Sequence, residues 1–230
     1  MSCPQCFSGH VNPGAPTGRW DTVHGLRTYI ATPPAGKSPK AIIVIIPDAF
    51  GVDFVNNQIL ADHYASAADY LVYLPDFMNG RRGMGSVLQH KDAALPVGIA
   101  GFCWGGLHTV RLTHNTVETK TDSGRALADA FFTAHPSSVD VAQDIGNVAR
   151  PLSIAIGDDD AVMGMKQVRQ AESILEGKDV DTSVVIYPGA KHGFSIRASR
   201  AEPDSKETRQ AEEAEEQAIA WFKRQFSMIE

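Results

Sequence analysis

Cysteine is scarce in this chain, since only 3 of its 230 residues are cysteine. Small secreted proteins that replace a hydrophobic core with disulfides contain many more, and an odd number leaves at least one thiol outside any disulfide. The chain must therefore be held together by buried side chains. Its length and its 43% hydrophobic content suffice for one large core, which predicts a single domain over residues 1–230.

Long apolar stretches and dense basic clusters are also missing. The longest apolar runs, such as Ala41–Ile46, are far shorter than the roughly 20 residues of a membrane-spanning helix. The N-terminus lacks the charged-then-apolar pattern of a signal peptide. A net charge of −6 repels the phosphate backbone of nucleic acids. We therefore predict a cytoplasmic protein that binds neither membranes nor nucleic acid.

Short apolar runs rich in Val, Ile and Ala alternate with segments of helical periodicity, a pattern typical of a parallel sheet with βαβ connections. Six runs are predicted to be its strands: 41–46, 70–74, 97–102, 128–132, 152–156 and 183–187. Before them, residues 20–30 contain His24-Gly25 between two β-prone runs, which predicts an antiparallel hairpin at one edge.

Helical periodicity is found at 54–67, at 162–175 and near the C-terminus. In the last of these segments Ala211, Ala218 and Phe226 lie on one face, acidic residues come early and basic residues late, as the helix dipole favours. Alternating strands and helices predict an α/β fold, with a mostly parallel sheet covered by helices on both faces.

The segment Gly101-Phe102-Cys103-Trp104-Gly105 follows a predicted buried strand and precedes a helix, which is the setting of a G-x-nucleophile-x-G turn. This turn is so sharp that the nucleophile has a strained backbone, and side chains at the flanking glycines would collide with neighbouring backbone. The nucleophile would be the sulfur of Cys103, and the adjacent helix N-terminus lowers a thiol pKa from its usual value of about 8.5. The alternative is a buried cysteine that only packs.

Acyl transfer also needs a base and an acid to orient it, in the chain order nucleophile, acid, histidine. Asp158, Asp159 and Asp160 follow the predicted strand at 152–156, so they lie at the sheet edge where open α/β sheets place their sites. Spacing alone does not choose among them. His192 follows the next strand and reaches the same edge. Four other histidines are expected to be solvent-exposed: His10, His63, His90 and His114.

Four motifs span nearly the whole chain: Cys3-Pro4-x-Cys6-Phe7-x-Gly9, Pro47-Asp48-Ala49-Phe50-Gly51, Gly-Phe-Cys-Trp-Gly-Gly at 101–106, and Gly-Ala-Lys-His-Gly-Phe at 189–194. With them the chain resembles the dienelactone hydrolase family, the carboxymethylenebutenolidases, and in particular its eukaryotic branch. The resemblance implies an α/β-hydrolase fold without a cofactor. It also implies a hydrolase that opens enol-lactones or cleaves related esters through a Cys-His-Asp triad and a thioacyl-enzyme intermediate.

The resemblance further implies individual roles. The family's G-x-x-D pattern falls on residues 157–160 and selects Asp160 as the acid. Its oxyanion hole consists of backbone N–H groups, which correspond to Ala49 and Trp104. A family carboxylate, usually glutamate, holds the resting thiol. Asp48 occupies that place with one methylene less, and it holds the thiol, caps the following helix or anchors its own loop.

Substrate binding is implied less directly. Arg197 is the candidate to bind a substrate carboxylate, together with Arg81 or Arg82. The chain departs from the family at residues 77–96, where family members carry a longer segment with a helical lid, so a more open pocket is expected. The motif His135-Pro136-Ser137 also resembles the family, and we assign it a structural role.

Other readings remain open at this point. Cys3, Cys6 and His10 could supply three zinc ligands, but a fourth is missing, so no metal is expected. A catalytically silent binding or regulatory protein, or a non-hydrolytic isomerase or cyclase, could use the same fold. The expected partner is a small-molecule lactone or ester, and the protein is expected to be a monomer or a homodimer.

Overall fold

An eight-stranded sheet forms the centre of the computed structural model, which describes residues 4–78 and 95–229. The strands are β1 (Arg19–Val23), β2 (Leu26–Ala31), β3 (Ala41–Ile46), β4 (Tyr70–Pro75), β5 (Val97–Phe102), β6 (Ala130–Ala134), β7 (Leu152–Asp159) and β8 (Thr182–Lys191). Their order in the sheet is β1-β2-β4-β3-β5-β6-β7-β8. Strand β2 is antiparallel to β1 and to β4, and the remaining pairs are parallel. The prediction of a mostly parallel sheet with an edge hairpin is confirmed.

Helices cover both faces of this sheet. They are α1 (Val55–Ala68), α2 (Trp104–Leu112), α3 (Met165–Glu176), the short α4 (Phe194–Arg197) and α5 (Lys206–Phe226). Helices α1 and α5 pack on one face, and α2 and α3 on the other. None of the helices in the described residues is both long and apolar enough to cross a membrane. The predicted cytoplasmic location stays a prediction.

Strand β3 shows why a continuous apolar run forms a central strand. Successive side chains of a strand point to opposite faces. Ile43 and Ile45 lie in the cluster under α1 and α5, whereas Val44 and Ile46 lie in the cluster under α2 and α3. All four are buried. A strand covered on both sides therefore needs no polar alternation.

Several predicted boundaries were wrong by a few residues. Strand β6 begins at Ala130 instead of 128, where its pairing with Gly98 of β5 starts. Strands β7 and β8 extend past their apolar runs and pair again at Asp159 and Lys191 after a register shift. Helix α3 begins at Met165 instead of 162. The segment at 77–96, which was predicted to be shortened, lies almost entirely outside the described residues.

The six parallel strands, β3 to β8, bring their C-terminal ends to one edge. The loops that leave this edge carry Ala49 after β3, Cys103 after β5, Ser137 after β6, Asp160 after β7 and His192 after β8. Residues that are far apart in the chain therefore meet above one end of the sheet, as expected for an open α/β sheet.

Candidate active site

Cys103 lies in the sharp turn between β5 and α2, with φ 52° and ψ −112°. This left-handed φ is strained for a non-glycine residue. The flanking glycines are required by close packing. A Cβ on Gly101 would overlap Thr109 Oγ1, and a Cβ on Gly105 would overlap the carbonyl oxygen of Ile46. The predicted geometry of the turn is therefore present.

The thiol of Cys103 is buried, with 2% of the residue exposed. The loop after β6 contacts the backbone of this residue, because Ser137 N donates to the Cys103 carbonyl oxygen at 2.9 Å. The Sγ atom lies 3.9 Å from Ser137 Oγ. It also lies within 4.8 Å of a ring nitrogen of His192 and of Cys6 Sγ.

A buried carboxylate orients the His192 imidazole. Nδ1 lies 2.9 and 3.1 Å from the two carboxylate oxygens of Asp160, and both side chains are fully buried. The same carboxylate accepts the backbone N–H groups of Val162 at 2.7 Å and Met163 at 3.1 Å. Because these bonds fix the carboxylate, they also fix the plane of the ring. Nδ1 is engaged, so Nε2 is the ring nitrogen that remains for the thiol.

The structure distinguishes the three aspartates that spacing could not. Asp158 and Asp159 end β7 with exposed side chains, and Asp158 bonds the N–H of Gly189. Asp160 follows the strand, is 3% exposed and meets His192. The aspartate selected by the family resemblance is thus the one that contacts the imidazole.

The electrostatics of the site favour an ion pair. Burial would raise the pKa of the Cys103 thiol. Its neighbours outweigh this effect, because the His192 imidazole and then the Arg197 guanidinium lower the thiol pKa below its usual value. Burial would likewise lower the pKa of His192, but Asp160 and Cys103 raise it to about 9. Both shifts stabilise a thiolate beside an imidazolium near neutral pH.

The backbone N–H groups that the resemblance assigned to an oxyanion hole are those of Trp104, at the start of α2, and Ala49, in the turn after β3. Trp104 is the first residue of α2, so its N–H has no acceptor within the helix. In the turn after β3, the N–H groups of Phe50 and Gly51 bond to Asp48. The N–H of Ala49 makes no hydrogen bond with any residue of the described segments. Within the described residues, both N–H groups are therefore able to donate a hydrogen bond to a bound molecule.

Asp48 is fully buried and is held by protein groups. One oxygen accepts from Phe50 N and from Asn57 Nδ2, each at 3.1 Å, and the other accepts from Arg197 at 2.5 Å. Of the alternatives for this residue, these contacts favour the anchor of its own loop. They also neutralise a buried carboxylate, which is costly when unpaired.

Arg197 is buried and connects Asp48 to the N-terminal segment. Only 2% of the residue is exposed. Besides Asp48, its guanidinium donates to the carbonyl oxygens of Ser8 at 3.0 Å and Gln5 at 3.2 Å. These bonds leave no reason to assign it to a substrate carboxylate, and its effect on the site is the positive charge that lowers the thiol pKa of Cys103. The other candidates, Arg81 and Arg82, lie outside the described residues.

His135 lies behind the His192 imidazole. It is fully buried, its ring centroid is 5.1 Å from that of His192, and Nε2 is 3.0 Å from Ser195 Oγ. Burial, together with the nearby His192, holds the pKa of His135 well below its usual value. A neutral ring that packs against Phe102 and Phe194 fits the structural role predicted for this motif.

The expectation of exposed histidines was only partly right. His10 is exposed, but His63 and His114 are half-buried. His63 pairs with Glu215 at 3.0 Å, and His114 lies 2.8 Å from a backbone carbonyl oxygen. His90 lies outside the described residues.

Three residues at the site were missed as site residues by the sequence. Ser137 appeared only as part of a structural motif. Gln5 Oε1 accepts the backbone N–H of His192 at 3.2 Å. Cys6, on a turn of 3-10 helix at Pro4–Phe7, brings a second thiol beside Cys103. The family motif at the N-terminus was the one signal that could have pointed to this segment. Among the described residues, Cys6, Cys103 and His192 are the group with suitable atoms for a metal ion.

Comparisons with known proteins identify the family. The model of the Dienelactone hydrolase family matches residues 86–226, more than half of the chain. The Hydrolase tropI of Talaromyces stipitatus is 27% identical in an alignment that covers 96% of this chain and 95% of the relative. The Carboxymethylenebutenolidase homolog of Rattus norvegicus is 24% identical, with 96% of each chain covered.

Solved structures share the fold. Thermogutta terrifontis esterase 2 superimposes with a TM-score of 0.66 at 13% identity, covering 92% of this chain and 96% of its own. Identity this low shows the fold alone. The family match, in contrast, includes strands β5 to β8 and the loops that carry Cys103, Asp160 and His192. The chain therefore belongs to the dienelactone hydrolase family and is a hydrolase of the lactone- and ester-cleaving type.

Proposed function

We propose that the protein opens enol-lactones or cleaves related small esters, with Cys103 as nucleophile, His192 as acid and base, and Asp160 as the residue that orients the imidazole. One observation carries this proposal. Cys103, which has a positive φ at the start of α2, places its thiol beside the imidazole of His192. The other ring nitrogen of His192 is bonded to the buried carboxylate of Asp160. This arrangement of groups is the one that activates a nucleophile for acyl transfer.

In the first half of the reaction the Cys103 thiolate attacks the carbonyl carbon of the lactone. The carbonyl oxygen becomes an oxyanion, which the N–H groups of Ala49 and Trp104 stabilise. When the carbon–oxygen bond of the ring breaks, the His192 imidazolium gives its Nε2 proton to the departing oxygen. The product of this half is an opened chain held to sulfur as a thioester.

The second half restores the enzyme. The neutral imidazole of His192 takes a proton from water as the water oxygen attacks the thioester carbon. The carbon–sulfur bond then breaks, which releases the acid and regenerates the Cys103 thiolate beside an imidazolium. Asp160 keeps Nδ1 protonated throughout, so that Nε2 alternates between acid and base. No redox change occurs, and one water is added overall.

The pKa shifts support this cycle. A lowered thiol pKa at Cys103 and a raised pKa at His192 provide both the nucleophile and the proton for the leaving group before substrate arrives. Enolates and phenolates are much less basic than alkoxides, so they compete better with the Cys103 thiolate for departure from the tetrahedral intermediate, which otherwise favours loss of sulfur. We therefore expect enol-lactones and aryl esters to be better substrates than alkyl esters.

The test is a turnover screen of enol-lactones, aryl esters and thioesters with the wild type and Cys103→Ala. Wild type should hydrolyse members of the panel, and the variant should lose at least about a thousandfold of the activity, as expected for loss of a nucleophile. Mass spectrometry of a slow substrate should show the acyl group on the peptide that contains Cys103. Hydrolysis that survives in Cys103→Ala at a comparable rate would contradict the proposal.

The same screen addresses the other two readings of the sequence. A product with the mass of the substrate would indicate an isomerase or cyclase, because hydrolysis adds one water. Saturable binding without turnover over the whole panel would indicate a binding protein. Either result would overturn the proposed hydrolysis.

A further inference from the structure

Cys6 is held next to the reacting groups by contacts on both sides of it. The Gln5 side chain accepts the N–H groups of His192 at 3.2 Å and Ala161 at 3.1 Å. On the other side, the Ser8 carbonyl accepts from Arg197 at 3.0 Å. The backbone on both sides of Cys6 is therefore anchored to the loops of the site.

The three ligand atoms have nearly the spacing that a tetrahedral cation requires. Zinc bonds of about 2.3 Å to sulfur and about 2.0 Å to nitrogen, at tetrahedral angles, place the ligand atoms about 3.5–3.8 Å apart. The two Sγ atoms and the ring nitrogen all lie within 4.8 Å of one another. Movements of about 1 Å at the ends of side chains would therefore bring the three protein ligands to this spacing and leave the fourth tetrahedral position for water.

The imidazole has the second contact that a metal-ligating histidine usually makes. His192 Nδ1 is bonded to Asp160, so Nε2 can bind a cation once it has released its proton. Nε2 is buried and makes no hydrogen bond to a protein atom in the described part of the chain. An unpartnered nitrogen beside two thiols is a donor set that soft and borderline divalent cations prefer.

We propose that Cys6, Cys103 and His192 bind Zn²⁺ reversibly and that this cation switches the hydrolase off. Binding of Zn²⁺ to the Cys6 thiol and the Cys103–His192 pair releases two protons, since both sulfurs bind as thiolates and the imidazole as the neutral ring. The occupied site has no nucleophile and no base. The effect on turnover rests on the proposed function, whereas the binding of Zn²⁺ does not.

Binding is tested without substrate, in a phosphine reductant that keeps the thiols from forming a disulfide. Co²⁺ should produce visible bands of a tetrahedral site and a near-ultraviolet thiolate-to-cobalt band, and one equivalent of Zn²⁺ should remove them. Competition with a chromophoric chelator then gives the Zn²⁺ affinity. Loss of a direct ligand in Cys6→Ser should weaken it at least about 100-fold, beyond the 10- to 100-fold effect of an outer-shell partner.

Ser8→Ala is the matched control, because it alters the same segment without removing a ligand and keeps the Ser8 carbonyl. It should bind Zn²⁺ as the wild type does. Cys6→Ala repeats the test without a hydroxyl, and thermal unfolding verifies that each variant is folded. Equal affinity in wild type and both Cys6 variants, or the absence of the thiolate-to-cobalt band in the wild type, would overturn the proposal.

Turnover provides the second readout. Zn²⁺ should inhibit the wild type and Ser8→Ala at concentrations near the measured affinity, and a chelator should restore activity. For Cys6→Ser, each rate is compared with its own metal-free rate, and inhibition should need at least about 100-fold more Zn²⁺. A protein that binds the cation but hydrolyses nothing would refute the proposed function and leave the site standing. A hydrolase that binds no cation would do the reverse.

Discussion

Replacing Asp160 with asparagine separates the two tasks of this carboxylate. Its Oδ1 accepts the N–H groups of Val162 and Met163, which shape the turn after β7, and both oxygens face Nδ1 of His192. Asparagine keeps the oxygen that bonds the backbone and replaces the other with an NH₂ group. That group cannot accept the Nδ1 proton, so the ring is expected to adopt the tautomer with its proton on Nε2.

The size of the effect follows from the geometry. A carboxylate and an imidazolium whose charge centres are about 4 Å apart interact by about 4 kcal/mol at an effective dielectric of about 20. Each 1.36 kcal/mol corresponds to about a tenfold change in rate. If this interaction is lost in the transition state, kcat/KM should fall by about three orders of magnitude, and the related triad variant of serine proteases loses about four. The fold should be retained because the backbone bonds remain.

The assay combines kcat/KM on an aryl ester with the pH dependence of Cys103 alkylation by a small haloacetamide. In wild type the thiol of Cys103 should be alkylated at pH values well below the usual pKa of a thiol. In Asp160→Asn the pH of half-maximal alkylation should be higher. Asp159→Asn is the matched control, because its exposed side chain does not meet His192. Activity of Asp160→Asn within tenfold of wild type, together with an unchanged alkylation midpoint, would refute the reasoning.

Three further predictions concern charge and packing. Because the pKa of His192 is raised to about 9, kcat/KM should fall as pH rises through about 9, and a rate that keeps increasing above that pH would contradict an imidazolium acid. Arg197→Met should cost about 3–5 kcal/mol in urea unfolding, since it leaves the Asp48 carboxylate buried and unpaired, and adding Asp48→Asn should recover part of the loss. Gly105→Ala should cost about 1–3 kcal/mol by overpacking, whereas Gly177→Ala, where the added Cβ makes only an ordinary van der Waals contact at a negative φ, should cost little. Equal thermal shifts for the two alanine variants would be evidence against the close packing at the turn.

The sheet could be predicted because its central strands are buried on both faces. Apolar runs of six residues, such as β3 and β5, carry that signal directly. The extensions of β7 and β8 could not be predicted, since they contain glycine, proline and exposed aspartates whose pairing is made by the backbone. Local composition does not register such backbone pairing.

The candidate site was predictable to different degrees. The elbow at Cys103 was visible because glycine, nucleophile and glycine have a fixed spacing at a strand-to-helix junction. The choice of Asp160 needed the family pattern, because whether a side chain near a strand end turns inward depends on the backbone bonds to Val162 and Met163. Arg197 was assigned to substrate by resemblance, and only its buried partners show it to be a tie within the protein.

The contacts of the N-terminal segment could not be predicted from the sequence, for a physical reason. Gln5 bonds the backbone of the loops that carry Asp160 and His192, at Ala161 N and His192 N, and Arg197 bonds the backbone of Gln5 and Ser8 in turn. Each of these bonds joins a side chain to a main-chain atom, so neither hydrophobic periodicity nor charge pairing marks them. The acid and histidine loops are thus positioned from two directions, by the strand ends below and by a distant segment above. Strand ends can be inferred from apolar runs, whereas the contacts that this segment makes with the two loops, and the place of its thiol beside Cys103, depend on the folded chain.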